Sequence, residues 1–267
     1  NLSIQNLIKN NSIKKYKSNI DLVMGGLPCQ GFSTANRQSI LNDPRNKLYK
    51  YFLKFVSKVK PKFILIENVI GIKTKAKDVI KELQLLGYDT DFKILQASDY
   101  GVPQNRRRLF FFAVKKSNNS ISLLKSFFYN LEKEKNNKKE YVLEDALFGL
   151  KKLKAKEKKN DTKNENSLSG FNIDKIKIYK KNEYIKKINF NKKIRFIYNH
   201  KARYNNKRDI NIFKLLPQGG DSTHPKIQDI MPYKRRKDIF KDKYFKLNSN
   251  KVCKTITSHM KFDCNMY

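Results

Sequence analysis

The chain passes from an apolar run into a loop shaped by glycine and proline in residues 22–33, LVMGGLPCQGFS. Residues 21–24 predict a buried strand that ends at the two glycines, and Cys29 stands at the apex of the loop that follows. Loops at the ends of strands are where a fold presents reactive side chains above a sheet. The stretch therefore predicts an α/β fold with a reactive thiol beside its sheet.

The spacing of apolar residues continues an alternation of strands and helices that is typical of βαβ units. It predicts helices over 45–59 and 77–86, and strands over 63–66, 88–96 and 109–114. We predict three regions, namely a sheet domain over 1–115, a partly flexible Lys- and Asn-rich connection over 116–190, and a second ordered region over 191–267. Within the connection, residues 151–169 are too polar to predict a packed core.

The net charge is +35, from 59 Lys and Arg against 24 Asp and Glu, which favours a polyanionic partner. Because Lys, Asn and Ile are all abundant, solvated lysines account for part of this charge, which supports nucleic-acid binding without establishing it. No apolar run is long enough to predict a membrane span. We expect a monomer with no membrane partner.

The three cysteines are an odd and sparse set, Cys29, Cys253 and Cys264, which fits free thiols in a reducing cytoplasm. Cys253, His259 and Cys264 match no standard zinc-finger spacing. We therefore predict a cytoplasmic protein without a metal site.

Two further segments carry candidate chemistry. Glu67 ends the predicted strand 63–66, where a carboxylate is costly unless a ligand or water meets it. Arg106 and Arg108 alternate at the entry to the next strand but one, which predicts that they face one side. A thiol, a carboxylate and an arginine cluster are the parts needed to attack a pyrimidine ring and to hold its developing charge. A structural thiol, a Glu67–lysine salt bridge and a solvated basic patch are the plainer interpretations of the same residues.

Together and in this order, the three segments resemble the C5-cytosine DNA methyltransferase family. Its cysteine-loop, Glu-Asn-Val and Gln-x-Arg-x-Arg motifs are matched by residues 25–33, 67–69 and 104–108. The resemblance implies part of a Rossmann-like, S-adenosylmethionine-dependent methyltransferase sheet, with a smaller target-recognition domain. It also implies a prokaryotic restriction–modification enzyme that methylates C5 of a cytosine flipped out of double-stranded DNA, through a covalent bond between Cys29 and C6.

The resemblance also assigns roles to individual residues. By it, Cys29 is the nucleophile, Glu67 grips cytosine N3, and Arg106 and Arg108 help to hold the ring and the loop. The expected cofactor-pocket residues are Pro28 and Leu48. The expected DNA contacts are Gln30, Ser33, Gln104 and Thr255, of which Ser33 and Thr255 meet backbone phosphates. The candidates for reading base edges are Arg203, Arg208, Gln218 and Arg235.

Some family motifs have no match. A Phe-x-Gly-x-Gly cofactor loop with its following acidic residue is missing before the cysteine loop, and an Arg-x-Leu-Thr-x-Arg-Glu helix is missing after it. We therefore expect a methyltransferase fragment that is inactive alone. One alternative is a non-catalytic DNA-binding remnant. The other is a related enzyme acting on tRNA cytosine, although that subgroup usually has a Pro-Pro-Cys-Gln loop where this chain has Leu27-Pro28-Cys29-Gln30.

Overall fold

The computed structural model describes residues 3–9, 13, 20–27, 47–136, 138–159, 161, 163–175, 182–190, 192–232, 244–256 and 265–266. The chain divides into two compact units. The sheet unit comprises Asn1–Tyr100 and Arg106–Lys139, and the second unit comprises Gly101–Asn105 and Glu140–Tyr267. The sequence-based boundaries at 115 and 190 stay predictions.

The described strands have five to nine residues in the sheet unit and two to six in the second unit. They are β1 (Leu22–Gly26), β2 (Phe63–Asn68), β3 (Tyr88–Gln96), β4 (Gln104–Asn105), β5 (Arg107–Lys115), β6 (Gly170–Lys175), β7 (Phe196–Lys201), β8 (Tyr244–Phe245), β9 (Cys253–Lys254) and β10 (Asn265–Met266). The α-helices are α1 (Ile4–Lys9), α2 (Lys47–Val59), α3 (Ala76–Leu85), α4 (Ser120–Asn136), α5 (Leu143–Leu147), α6 (Glu183–Ile188) and α7 (Lys207–Leu215). Three 3₁₀ segments lie at Ile70–Lys75, Ala97–Tyr100 and Pro225–Ile230.

The sheet unit is a four-stranded sheet in the order β1-β2-β5-β3. Strands β1 and β2 run parallel, and β5 lies antiparallel to both of its neighbours. Apolar residues of β2, β5, α2 and α3 form a core on one face, which includes Ile64, Ile66, Phe111, Val56 and Leu83. Helix α4 packs on the other face, where the Phe112 and Phe127 rings stack with their centroids 3.8 Å apart. Helices thus cover both faces, which confirms the predicted α/β class.

The predicted elements of the sheet unit are confirmed, with ends that differ by at most two residues. Helix α3 ends where Gly87, at φ +88°, adopts a left-handed conformation that glycine accepts readily. Helix α4 was not predicted. Leu124 and Phe127 in its first half pack against the sheet, whereas its second half ends in the charged run 132–135. No helix in the described ranges is long and apolar enough to cross a bilayer.

The second unit has a small apolar core around α7. Its members are Ile212, Phe213, Leu216, Ile227, Met231 and Tyr244. Helix α7 begins at an Asn206 cap whose side-chain oxygen accepts from the Asp209 N–H at 2.8 Å. The Asp209 carboxylate is itself buried and accepts from the Tyr244 hydroxyl at 2.8 Å. Polar groups therefore take part in this core.

A buried lysine organises the segment that its composition predicts to be loose. Lys156 is only 7% exposed, and its ammonium group donates to the carbonyl oxygens of Asp161 and Asn164. Its main-chain N–H donates to the Arg203 carbonyl at 2.8 Å, and its carbonyl accepts from the Asn205 N–H at 3.0 Å. Hydrogen bonding to one lysine thus supplies order where apolar residues are scarce.

Candidate active site

The candidate site lies at the carboxyl ends of the parallel strands β1 and β2. Gly26 and Glu67 are neighbours in register there, at the edge of an α/β sheet where ligands commonly bind. A Cβ atom on Gly26 would lie 3.9 Å from Glu67 Oε2. Because glycine has no side chain, Gly26 itself places no side-chain atom on this side of the carboxylate.

Two arginines hold the Glu67 carboxylate. Arg108 Nε lies 2.9 Å from Glu67 Oε1, within charge-assisted hydrogen-bond distance. Arg106 Nη2 lies 3.9 Å from the same oxygen, which is a looser ion pair. The Glu67 side chain is 36% exposed and that of Arg108 21%, so the cluster is half-buried with one side toward solvent.

The register of the sheet explains why both arginines reach one carboxylate. Glu67 lies opposite Phe110 in β5, so the two side chains share a face of the sheet. Residues 108 and 106 precede Phe110 by two and four positions and alternate onto that face, while Arg107 is exposed. The alternation predicted from the sequence is therefore present.

The electrostatics of Arg108 reflect this crowding. Burial lowers the pKa of its guanidinium, and the neighbouring positive charge of Arg106 lowers it further, while Glu67 acts in the opposite direction. Guanidinium groups nevertheless stay charged in proteins. Glu67 thus faces two fixed cations at a partly solvated sheet edge.

Asn68 leaves one buried donor available beside this cluster. Its side chain is almost fully buried, and its Oδ1 accepts from the Val69 N–H at 2.8 Å. Its Nδ2 has no hydrogen-bond partner among the residues that the structure describes. A buried unpaired amide costs about 1–3 kcal/mol, so a partner for this group is expected.

The remaining predicted site residues include Leu48 and the residues of the cysteine loop. Leu48 lies in the first turn of α2 and is half-buried. The cysteine-loop residues lie outside the described ranges, and these are Pro28, Cys29, Gln30 and Ser33. Cys253 is buried, and burial raises the pKa of its thiol, which keeps this thiol protonated and unreactive at neutral pH.

The segments that carry Gln104 and Thr255 are adjacent within the second unit. Strands β4 and β9 pair in parallel, with Gln104 opposite Cys253. The Thr255 hydroxyl donates to the Asn105 carbonyl at 2.6 Å. The pairing joins residues about 150 positions apart, which a local sequence pattern does not predict.

The base-reading candidates differ in their surroundings. Arg203 and Arg208 are exposed, and Arg208 Nε lies 3.7 Å from Asp209. The Gln218 side-chain oxygen accepts from the Ser249 N–H and hydroxyl, both at 3.1 Å, which orients its amide. Arg235 lies outside the described ranges.

Sequence reasoning missed a cavity of about 350 Å³ in the second unit. Its lining includes Gln218, Phe245, Lys251, Cys253 and Lys254. The only sequence signal for it was the turn at residues 217–221, PQGGD. The Lys254 ammonium lies 3.7 Å above the Phe245 ring beside the cavity.

Comparisons with known proteins bear on this arrangement. The model of the C-5 cytosine-specific DNA methylase family matches residues 3–263. A Type II methyltransferase of Xanthomonas oryzae pv. oryzae is 45% identical over 98 residues, which are 34% of this chain and 23% of that protein. A Type II methyltransferase of Haemophilus parahaemolyticus is 40% identical over 113 residues, which are 39% of this chain and 29% of that protein.

A solved structure extends the likeness over most of the chain. This is a crystal structure from E. coli, described as a DNA modification methyltransferase encoded within a prophage. It covers 95% of this chain and 68% of its own, with a TM-score of 0.59 and 24% identity. The match confirms the Rossmann-like methyltransferase sheet. The chain spans only 23% and 29% of the length of the two curated relatives.

Proposed function

The chain belongs to the C-5 cytosine-specific DNA methylase family, and on this premise we propose that the protein is a DNA (cytosine-5-)-methyltransferase of a restriction–modification system. The observation that carries the proposal is the Glu67 carboxylate, which lies 2.9 Å from Arg108 Nε and beside Gly26, a residue without a side chain. This geometry suits a planar base that offers a ring nitrogen to the carboxylate. The substrate is double-stranded DNA, which the net charge of +35 favours.

In this proposal Cys29 supplies the nucleophile. Its thiolate forms a bond to cytosine C6, and the electrons of the C5–C6 double bond shift so that C5 becomes nucleophilic. C5 then takes the methyl group. Loss of the C5 proton to a base and cleavage of the Cys29–C6 bond restore the double bond and release the thiolate.

Glu67 and its arginines would assist at the opposite edge of the ring. The Glu67 carboxyl shares a proton with N3, which offsets the negative charge that develops as the thiolate attacks. Arg108 keeps the carboxylate in place, because its Nε is bonded to it at 2.9 Å. The looser Arg106 directs its donors to the base or to a phosphate.

Asn68 and Leu48 have supporting roles in the same proposal. The buried Asn68 Nδ2, which has no partner among the described residues, would help to fix the cysteine loop through its amide. S-adenosylmethionine supplies the electrophilic methyl group when bound. Leu48 is half-buried, so part of its apolar side chain is accessible to such a ligand, and it would line the ligand site together with Pro28. Gln30, Ser33 and Gln104 are the proposed DNA contacts, and the proposed location of the enzyme is the cytoplasm.

Duplex DNA that carries 5-fluorocytosine tests the covalent step. Fluorine cannot leave C5 as a cation, so a methylated adduct stays bonded to Cys29 and survives denaturation. We expect a denaturation-resistant protein–DNA band from the full-length reading frame with S-adenosylmethionine. Cys29→Ser should give no band, and Cys253→Ser, a matched change at a buried thiol, should retain it.

Two other outcomes would favour the alternatives. An adduct formed with 5-fluorocytosine tRNA but not with DNA would indicate the tRNA enzyme. Salt-sensitive DNA binding without an adduct on either substrate would indicate a non-catalytic DNA-binding remnant.

A further inference from the structure

We propose that Thr255 is a positioning residue for the arginine pair, acting through the main chain of Asn105. The inference rests on the proposed methyltransferase function and deepens it. The family resemblance assigns Thr255 to a DNA phosphate, whereas its hydrogen bond points to a role inside the protein.

The hydroxyl of Thr255 has one hydrogen to donate. It lies 2.6 Å from the Asn105 carbonyl oxygen, and a carbonyl can only accept, so the hydroxyl is the donor in this bond. A phosphate oxygen of DNA is also an acceptor. The same hydroxyl hydrogen cannot be donated to both acceptors, and the observed geometry favours the Asn105 carbonyl.

Thr255 completes a set of bonds around residues 103–105. The Cys253 N–H donates to the Pro103 carbonyl at 3.0 Å, and β9 pairs with β4 directly after it. Thr255 then holds the carbonyl of Asn105, the last residue before Arg106. The Arg106 carbonyl in turn accepts from the Ala97 N–H at 2.9 Å. The main chain is therefore held on both sides of the Asn105–Arg106 peptide.

Arg106 depends on this restraint more than Arg108 does. Its guanidinium reaches Glu67 only at 3.9 Å, so its side chain has no short bond to the carboxylate to hold it. Consecutive Cα atoms are fixed about 3.8 Å apart, so a shift of Asn105 moves Arg106 as well. Small displacements of a catalytic group lower the rate without removing any substrate contact.

The test uses the full-length reading frame with Thr255→Val, Thr255→Ser and a matched control, Thr74→Val. Valine keeps the shape of threonine and removes the hydroxyl, and serine keeps the hydroxyl. Thr74 likewise donates to a carbonyl, that of Gly71, on an exposed turn. The readouts are the single-turnover rate of methyl transfer, the Kd for DNA, and the dependence of that Kd on salt.

We expect Thr255→Val to lower the single-turnover rate roughly twofold to tenfold, as loss of one hydrogen bond predicts. Kd and its salt dependence should stay unchanged, Thr255→Ser should restore the rate, and Thr74→Val should behave as wild type. A weaker Kd for DNA in Thr255→Val that Thr255→Ser restores would overturn the proposal in favour of a direct phosphate contact. An unchanged rate in Thr255→Val would also overturn it. If the wild-type protein forms no 5-methylcytosine, the proposed function itself fails, which is a separate result.

Discussion

The two units of this protein are stabilised by different interactions. In the sheet unit, Ile64, Ile66 and Phe111 are buried in a continuous apolar core. In the second unit the apolar cluster is smaller, and Lys156 and Asp209 are buried with hydrogen-bond partners. Loss of side-chain volume should therefore damage the sheet unit most, and loss of hydrogen-bond donors should damage the second unit most.

Truncation of the sheet core should have the largest effect. Phe111→Ala should lower the free energy of unfolding of the sheet unit by about 3–5 kcal/mol, because Phe111 is completely buried. Phe190→Ala is the matched control, since that ring is 83% exposed. Urea unfolding followed by hydrogen exchange in each unit measures both. Equal losses in the two variants would contradict the packing argument.

Among these variants, loss of the Arg108 guanidinium should have the largest effect on the reaction rate. Arg108→Ala should lower kcat by about 10²–10³, as loss of one well-placed donor does elsewhere, with little change in stability. Arg108→Lys should recover little, because lysine lacks the planar fork. Arg107→Ala, an exposed neighbour, is the control in steady-state methylation assays. If Arg108→Ala and Arg107→Ala had the same kcat, Arg108 would have no role in the reaction.

Loss of the buried ammonium should affect the second unit alone. Lys156→Met retains much of the volume and leaves the carbonyls of Asp161 and Asn164 without their donor. We expect a loss of about 1–3 kcal/mol, confined to the second unit in hydrogen exchange. Lys152→Met, on an exposed residue, should be neutral. If Lys156→Met were more stable than the wild type, side-chain volume would outweigh hydrogen bonding in the second unit as well as in the sheet unit.

A surface ion pair should have the smallest effect. Asp21 and Lys62 lie 2.7 Å apart but are 71% and 72% exposed. Asp21→Asn should change stability by less than about 1 kcal/mol, and salt should reduce the difference. Thermal unfolding at low and high salt measures it, and a large loss that salt does not reduce would contradict the prediction.

The sheet was predictable from sequence because its signals are local. The continuous apolar run in residues 63–66 and the helical spacing of apolar residues in α2 each indicate burial within one element. The convergence of Arg106 and Arg108 on Glu67 also followed from alternation, once β5 was placed beside β2.

The second unit gave no comparable signal. In the sequence Lys156 resembles any solvated lysine of a polar run, and its main-chain bonds to the distant residues Arg203 and Asn205 become visible only in the structure. Strands β4 and β9 have two residues each and are joined across the chain, so neither has a period to detect. Pairing and polar burial of this kind depend on tertiary structure, which a local pattern does not encode.

We propose that this protein methylates C5 of cytosine in DNA. The most direct measurement is transfer of a labelled methyl group from S-adenosylmethionine to unmethylated duplex DNA by the full-length reading frame, followed by nucleoside analysis. Our account predicts label in 5-methylcytosine, and none with Cys29→Ser. Label on the cytosine amino group or on adenine, or a Cys29→Ser variant as active as wild type, would contradict it.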